Sequence, residues 1–177
     1  MRLLPRIVPL VLAAVVLVTG GSASAQSDLD LPLEDYLKDA GDRAKLVAPG
    51  DLKIDGHRMI CGKRPTVIDP EFASWGGAYP GYLILNPKRM AGLNTTVKLF
   101  IYAHECGHQF IGRDEQAADC FAVKRGRRYG WLDQAGLENI CTFMKNLKGD
   151  WDHSDGTDRC SRMKVCYGQA APKAARN

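Results

Sequence analysis

Residues 103–121 read "AHECGHQFIGRDEQAADCF". His104 and His108 stand four apart, and at about 100° per residue a helix turns both imidazoles off one face. Glu105 lies beside them, one position along. Around them "VKLF", residues 97–100, and "IYA", residues 101–103, are strongly apolar, so this helix is expected to be buried. Two histidines and a glutamate are costly to bury unless something binds them. Zinc chemistry asks for this set: neutral nitrogen ligands, an open coordination position, and a base for the water whose pKa the metal lowers. His104 and His108 are therefore expected to hold Zn2+, with Glu105 as the catalytic base.

Two neighbours compete for the third ligand. Asp114 lies six residues beyond His108, the place of the third ligand in an extended histidine motif. That motif, however, wants glycine at position 111, where isoleucine stands. Glu115 fits better, because with Asp119 it forms a second pair four apart. A turn through Gly112, Arg113 and Asp114 carries that pair back towards the histidines. Glu115 is then expected to bind the metal, and Asp119 to accept a hydrogen bond from a ligand imidazole and fix its tautomer. Asp114 is left to cap the helix. Cys106 points about 200° away from the histidines, so a disulfide is expected there rather than ligation.

Working outward, threonine is the cap candidate for the histidine helix and Gly112 its stop. "DEQAADCFAVKRG", residues 114–126, reads as a helix from Asp114 to a stop at Gly126. Asp133 caps a further one in residues 133–149, and a last short helix is expected in "TDRCSRMKVCYG", residues 157–168. Before Asn94 the character differs. Pro32 suits a first helical turn. Asp55-Gly56 signals a hairpin, with His57 exposed at its tip. "RPTVIDP" and "GYLILNP" are strand candidates, and "EFASWGGAYPG" between them reads as a loop. Strands first and helices later predict an α+β domain, in which the histidine helix follows N-terminal strands and a hairpin.

Arg2 and Arg6, the apolar run Ile7–Val18 and Ala23-Ser24-Ala25 form a signal-peptide pattern over residues 1–25. The run is short of the ~20 residues a spanning helix needs, so no membrane span is expected after cleavage. Residues 26–177 are expected to form one domain, with the Ala-rich tail 168–177 frayed, in a secreted or periplasmic protein. The net charge of +4 falls by two when Arg2 and Arg6 go, which argues against nucleic acid as a partner. Six cysteines in an exported chain read as up to three disulfides; spacing leaves their pairing open. The aspartates of "DWDHSDGTD", residues 150–158, echo a calcium loop, but Ser161 stands where its glutamate belongs.

"HECGH" followed closely by "EQAAD" resembles the gluzincin metallopeptidases, particularly small members related to CAAX prenyl protease and bacterial heat-shock membrane proteases. The resemblance covers about residues 95–167. It implies a zincin-like domain acting on a peptide or protein substrate. In many such proteins a His-Pro-x-x-x-x-Arg-like segment lies near the site, and "HSDGTDR", residues 153–159, looks like a version with serine for proline. By this resemblance His153 or Arg159 is expected to stabilise the oxyanion. The competing expectation is an exported zinc-binding domain without turnover, acting by partner binding; Glu105 argues against it, since such a site has no use for a base.

Overall fold

A computed structural model describes residues 31–148 and 155–171, and these form a mixed α+β fold. The expected signal peptide, His153 and residues 172–177 of the expected tail lie outside the described residues. Helix α1 (Leu33–Ala40) starts one residue after Pro32 and is followed by a 3-10 turn at Gly41–Arg43. Six short strands come next: β1 (Lys45–Val47), β2 (Lys53–Ile54), β3 (His57–Arg58), β4 (Thr66–Ile68), β5 (Gly76–Tyr79) and β6 (Tyr82–Leu85). Then come α2 (Pro87–Met90), α3 (Thr95–Ile111), α4 (Glu115–Tyr129), α5 (Gln134–Met144) and α6 (Gly156–Gln169).

Four strands make one sheet in the order β1-β4-β6-β5, with β4 and β6 parallel and the outer pairs antiparallel. The run "YLIL" of β6 is buried throughout because both faces of the sheet are covered. Leu83 and Leu85 join the main core with α3, while Tyr82 and Ile84 join Val67, Tyr36 and Ala40 beneath α1. α1 is fastened there by the buried Asp69, whose Oδ2 accepts from Tyr36 at 2.7 Å and from Arg43 at 3.2 Å. β2 and β3 form the expected hairpin, with Asp55 and Gly56 both at positive φ, 46° and 85°. Asp55 also accepts from Thr95 and Lys98, both at 2.9 Å, which ties the hairpin to the start of α3.

Three expectations need correction. "EFASWGGAYPG" is not all loop: Gly76–Tyr79 pair with β6 from Gly76↔Leu85 to Tyr79↔Tyr82. Side-chain patterning hides this strand because glycine is needed for space. A Cβ on Gly76 would lie 3.0 Å from Glu105 Cγ, and one on Gly77 would lie 2.6 Å from Phe72 Cζ. Gly126 does not stop α4, which runs on to Tyr129 and ends at Gly130 with φ 76°. Gly126 is instead a packing glycine, since a Cβ there would meet Leu132 Cβ at 2.7 Å. The cap of α3 is Asn94, whose side chain accepts from Thr96 N at 2.8 Å, and not a threonine.

The helices pack around α3, which touches α4, α5, β5 and β6. All six cysteines pair: Cys61–Cys106, Cys120–Cys166 and Cys141–Cys160. The first fastens the back of α3 to the segment before β4, and the other two bind α6 to α4 and to α5. Among the described residues no helix is long and apolar enough to cross a membrane. α6 extends through Gly168 and Gln169, the first two residues of the expected tail.

Candidate metal centre

α3 carries His104, Glu105 and His108, and α4 carries Glu115 and Asp119. Gly112 (φ 81°) closes α3, and Asp114 opens α4 by accepting from Ala117 N at 2.9 Å. The turn between them folds α4 back along α3. Close approach is possible because Gly107 faces Ala118: a Cβ on Gly107 would lie 3.2 Å from Ala118 Cα. This contact brings the second pair of residues under the first.

His104, His108 and Glu115 converge as a group that can hold a metal ion, with one ligand atom from each, all within 4.8 Å of one another. His104 Nε2 lies 3.1 Å from Glu115 Oε2 and His108 Nε2 lies 3.3 Å from Glu115 Oε1. The two Nε2 atoms are 3.1 Å apart, with the rings near perpendicular at 86°.

Both Nδ1 atoms are already committed. His104 Nδ1 donates to Asp119 Oδ1 at 2.9 Å, and His108 Nδ1 donates to the Gly112 carbonyl at 2.7 Å. A neutral imidazole with its proton on Nδ1 presents a lone pair at Nε2. Two such lone pairs and a carboxylate aimed at one point repel unless a cation sits among them. The donor set, two nitrogens and one carboxylate with their outer nitrogens fixed, suits a metal ion. The same arrangement raises the affinity of His104 for a proton. Burial opposes the charge, but the bonds to Asp119 and Glu115 prevail and push its pKa up to about 10. Burial likewise works against the charge on Glu115, and the two histidines outweigh it, so its carboxyl is held below the usual range.

Asp119 is buried and receives a second partner. Arg159 of α6 donates through Nε to Oδ2 and through Nη2 to Oδ1, each at 2.8 Å. Arg159, expected with His153 as an alternative donor to the oxyanion, gives two of its donors to Asp119. Arg159 Nη2 also lies 3.9 Å from Glu115 Oε2. Glu105 shares a cavity with His104, Glu115 and Arg159, and its burial raises the carboxyl pKa. Asp114 acts as a cap and stays outside the cluster, while Cys106 is tied up in its disulfide and His57 is exposed.

The pairing of Asp119 with Arg159 is not legible from spacing, because the two are 40 residues apart. Gly107 carried a fainter signal. A glycine in mid-helix costs stability and is retained where another backbone comes close. Compared with protein-family models, with curated proteins and with solved structures, the chain finds no match in any of the three.

Proposed function

We propose that this protein is an exported zinc-dependent peptidase of gluzincin type, with residues 26–177 as its single domain. The observation that carries the reading is the convergence of His104 Nε2, His108 Nε2 and the Glu115 carboxylate at one point, in a cavity that Glu105 also lines. These residue types favour zinc among the metals that nitrogen and carboxylate ligands accept. Zinc supplies a Lewis acid that lowers the pKa of water and polarises a carbonyl.

The chain's own groups do the rest. Asp119 holds the His104 ring, and the Gly112 carbonyl holds the His108 ring, so both turn Nε2 towards Glu115, where a metal ion would compete with a proton for it. Arg159 keeps Asp119 ionised and in place. Glu105 takes the proton from the attacking water and passes it to the departing nitrogen. Export is supported by the pairing of all six cysteines.

The test is digestion of a broad peptide library by zinc-loaded wild type and by Glu105→Gln. Glutamine is nearly isosteric but accepts no proton, so cleavage should fall by roughly 10²–10⁴ while zinc and fold persist. Equal activity in the two proteins would remove Glu105 as the base. No cleavage by the wild type, with zinc bound, would leave a zinc-binding domain that acts through a partner.

A further inference from the structure

The cavity beside the metal cluster has two unlike sides. His104, Glu105, Glu115 and Arg159 form one of them. The other is mainly apolar: Trp75 next to β5, Phe100 and Ile101 of α3, Phe143 and Met144 at the end of α5, and Leu147 just beyond it, with Lys148 beside Leu147. Phe100, Ile101 and Met144 belong to the core, whereas Trp75, Phe143 and Leu147 are only half-buried and leave apolar surface at the opening. Trp75 and Phe143 meet edge to face, with ring centroids 5.2 Å apart. The cavity measures about 330 Å³. That lies at the small end for ligand sites and suits one large side chain better than an extended ligand.

We propose that this wall receives an aliphatic or aromatic side chain of the peptide, adjacent to the bond that is cut. The assignment rests on the peptidase reading and narrows its substrate class. Lys148 at the edge of the lining is exposed and Arg159 spends two donors on Asp119, so a charged side chain would lose its hydration against Trp75, Phe143 and Leu147 for little return. A large apolar one removes its own surface and theirs from water. Gly76 helps to set the distance between wall and base: a Cβ there would press on Glu105 Cγ at 3.0 Å and Ile101 Cγ2 at 3.2 Å.

Two arms test this independently. In the first, the Trp75 indole N–H resonance, assigned with Trp75→Phe, is followed by NMR during titration with blocked amino acids. N-acetyl-leucinamide and N-acetyl-phenylalaninamide should shift it in a saturable way, and N-acetyl-glycinamide and N-acetyl-aspartamide should not. Leu147→Gln keeps the side-chain length at a half-buried position and should weaken the leucinamide about tenfold. Equal shifts from all four compounds, or an unchanged affinity in Leu147→Gln, would overturn the proposal. In the second arm, peptide-library cleavage sites should be enriched in large apolar residues on one side of the bond, and Leu147→Gln should relax that preference. Cleavage without any apolar preference also overturns it. If no peptide is cut while the apolar amides still bind at Trp75, the peptidase reading falls and the apolar pocket stands.

Discussion

Arg159 grips Asp119 through two parallel hydrogen bonds of 2.8 Å, and Asp119 in turn holds His104 Nδ1 at 2.9 Å. A residue on the last helix therefore fixes the ring of the first metal-ligand candidate. Burial opposes the charge on Asp119, but Arg159 and His104 outweigh it and keep its pKa below the ordinary 3.8.

Removing that grip should loosen the metal without touching a ligand. Arg159→Leu is expected to weaken zinc binding about 10- to 100-fold, the usual cost of losing an outer-shell partner. It should also destabilise the fold by about 3–5 kcal/mol, because a buried carboxylate is left without its cation. Competition with a chelator and thermal unfolding measure the two effects. Unchanged zinc affinity would show that Asp119 orients His104 unaided.

The disulfides make the same connection by another route. Cys120 follows Asp119 and Cys160 follows Arg159, and their bonds to Cys166 and Cys141 hold α6 against α4 and α5. Replacing both Cys141 and Cys160 by serine should cost about 2–5 kcal/mol in unfolding free energy. Zinc affinity should fall with it, as α6 withdraws Arg159. Zinc affinity equal to the wild type in the folded variant would separate the disulfide from the site.

Gly107→Ala tests the helix contact beneath the cluster. In an open helix this change stabilises by about 0.5–1 kcal/mol. Here the added methyl would lie 3.2 Å from the Ala118 backbone, so α4 must shift and carry Glu115 with it. Lower stability and weaker zinc binding are expected together, measured by calorimetry and chelator competition. A more stable variant with full zinc affinity would refute the close approach.

A pH dependence follows from Asp69, away from the candidate metal cluster. Burial opposes its charge, but bonds from Tyr36, the Glu71 amide and Arg43 hold its pKa below 3.8. A lowered folded pKa contributes stability that is complete above the unfolded value and is lost as pH falls through the folded value. Asp69→Asn should therefore abolish that part of the acid destabilisation below about pH 4. Urea unfolding at pH 3 and pH 6 provides the comparison. Identical pH slopes in the two proteins would exclude Asp69 as a contributor.

How much of this was legible depended on whether the signal was local. The histidine helix and the bond from a ligand imidazole to Asp119 follow from spacings of four along two adjacent helices, and the turn at Gly112 and the cap at Asp114 from residue type; which imidazole Asp119 holds, His104, comes from the structure. The hairpin at Asp55-Gly56 is equally local. β5 was hidden because its pairing is made by backbone, with glycines where side chains would collide with Glu105 and Phe72. The extent of α4 is hidden in the sequence because Gly126 serves packing against Leu132, and the stop is Gly130. The pairing of the cysteines, the second partner of Asp119 and the apolar wall at Trp75 and Phe143 join distant segments, and no periodicity reports them.

The central claim, that His104, His108 and Glu115 are the metal ligands, is tested most directly by zinc content. Elemental analysis of the purified protein and of two neighbouring variants, Glu115→Ala and Asp114→Ala, suffices. About one zinc per chain is expected in the wild type and in Asp114→Ala, which loses only a helix cap, and close to none in Glu115→Ala. A wild type without zinc, or a Glu115→Ala protein that retains it in full, would contradict the account.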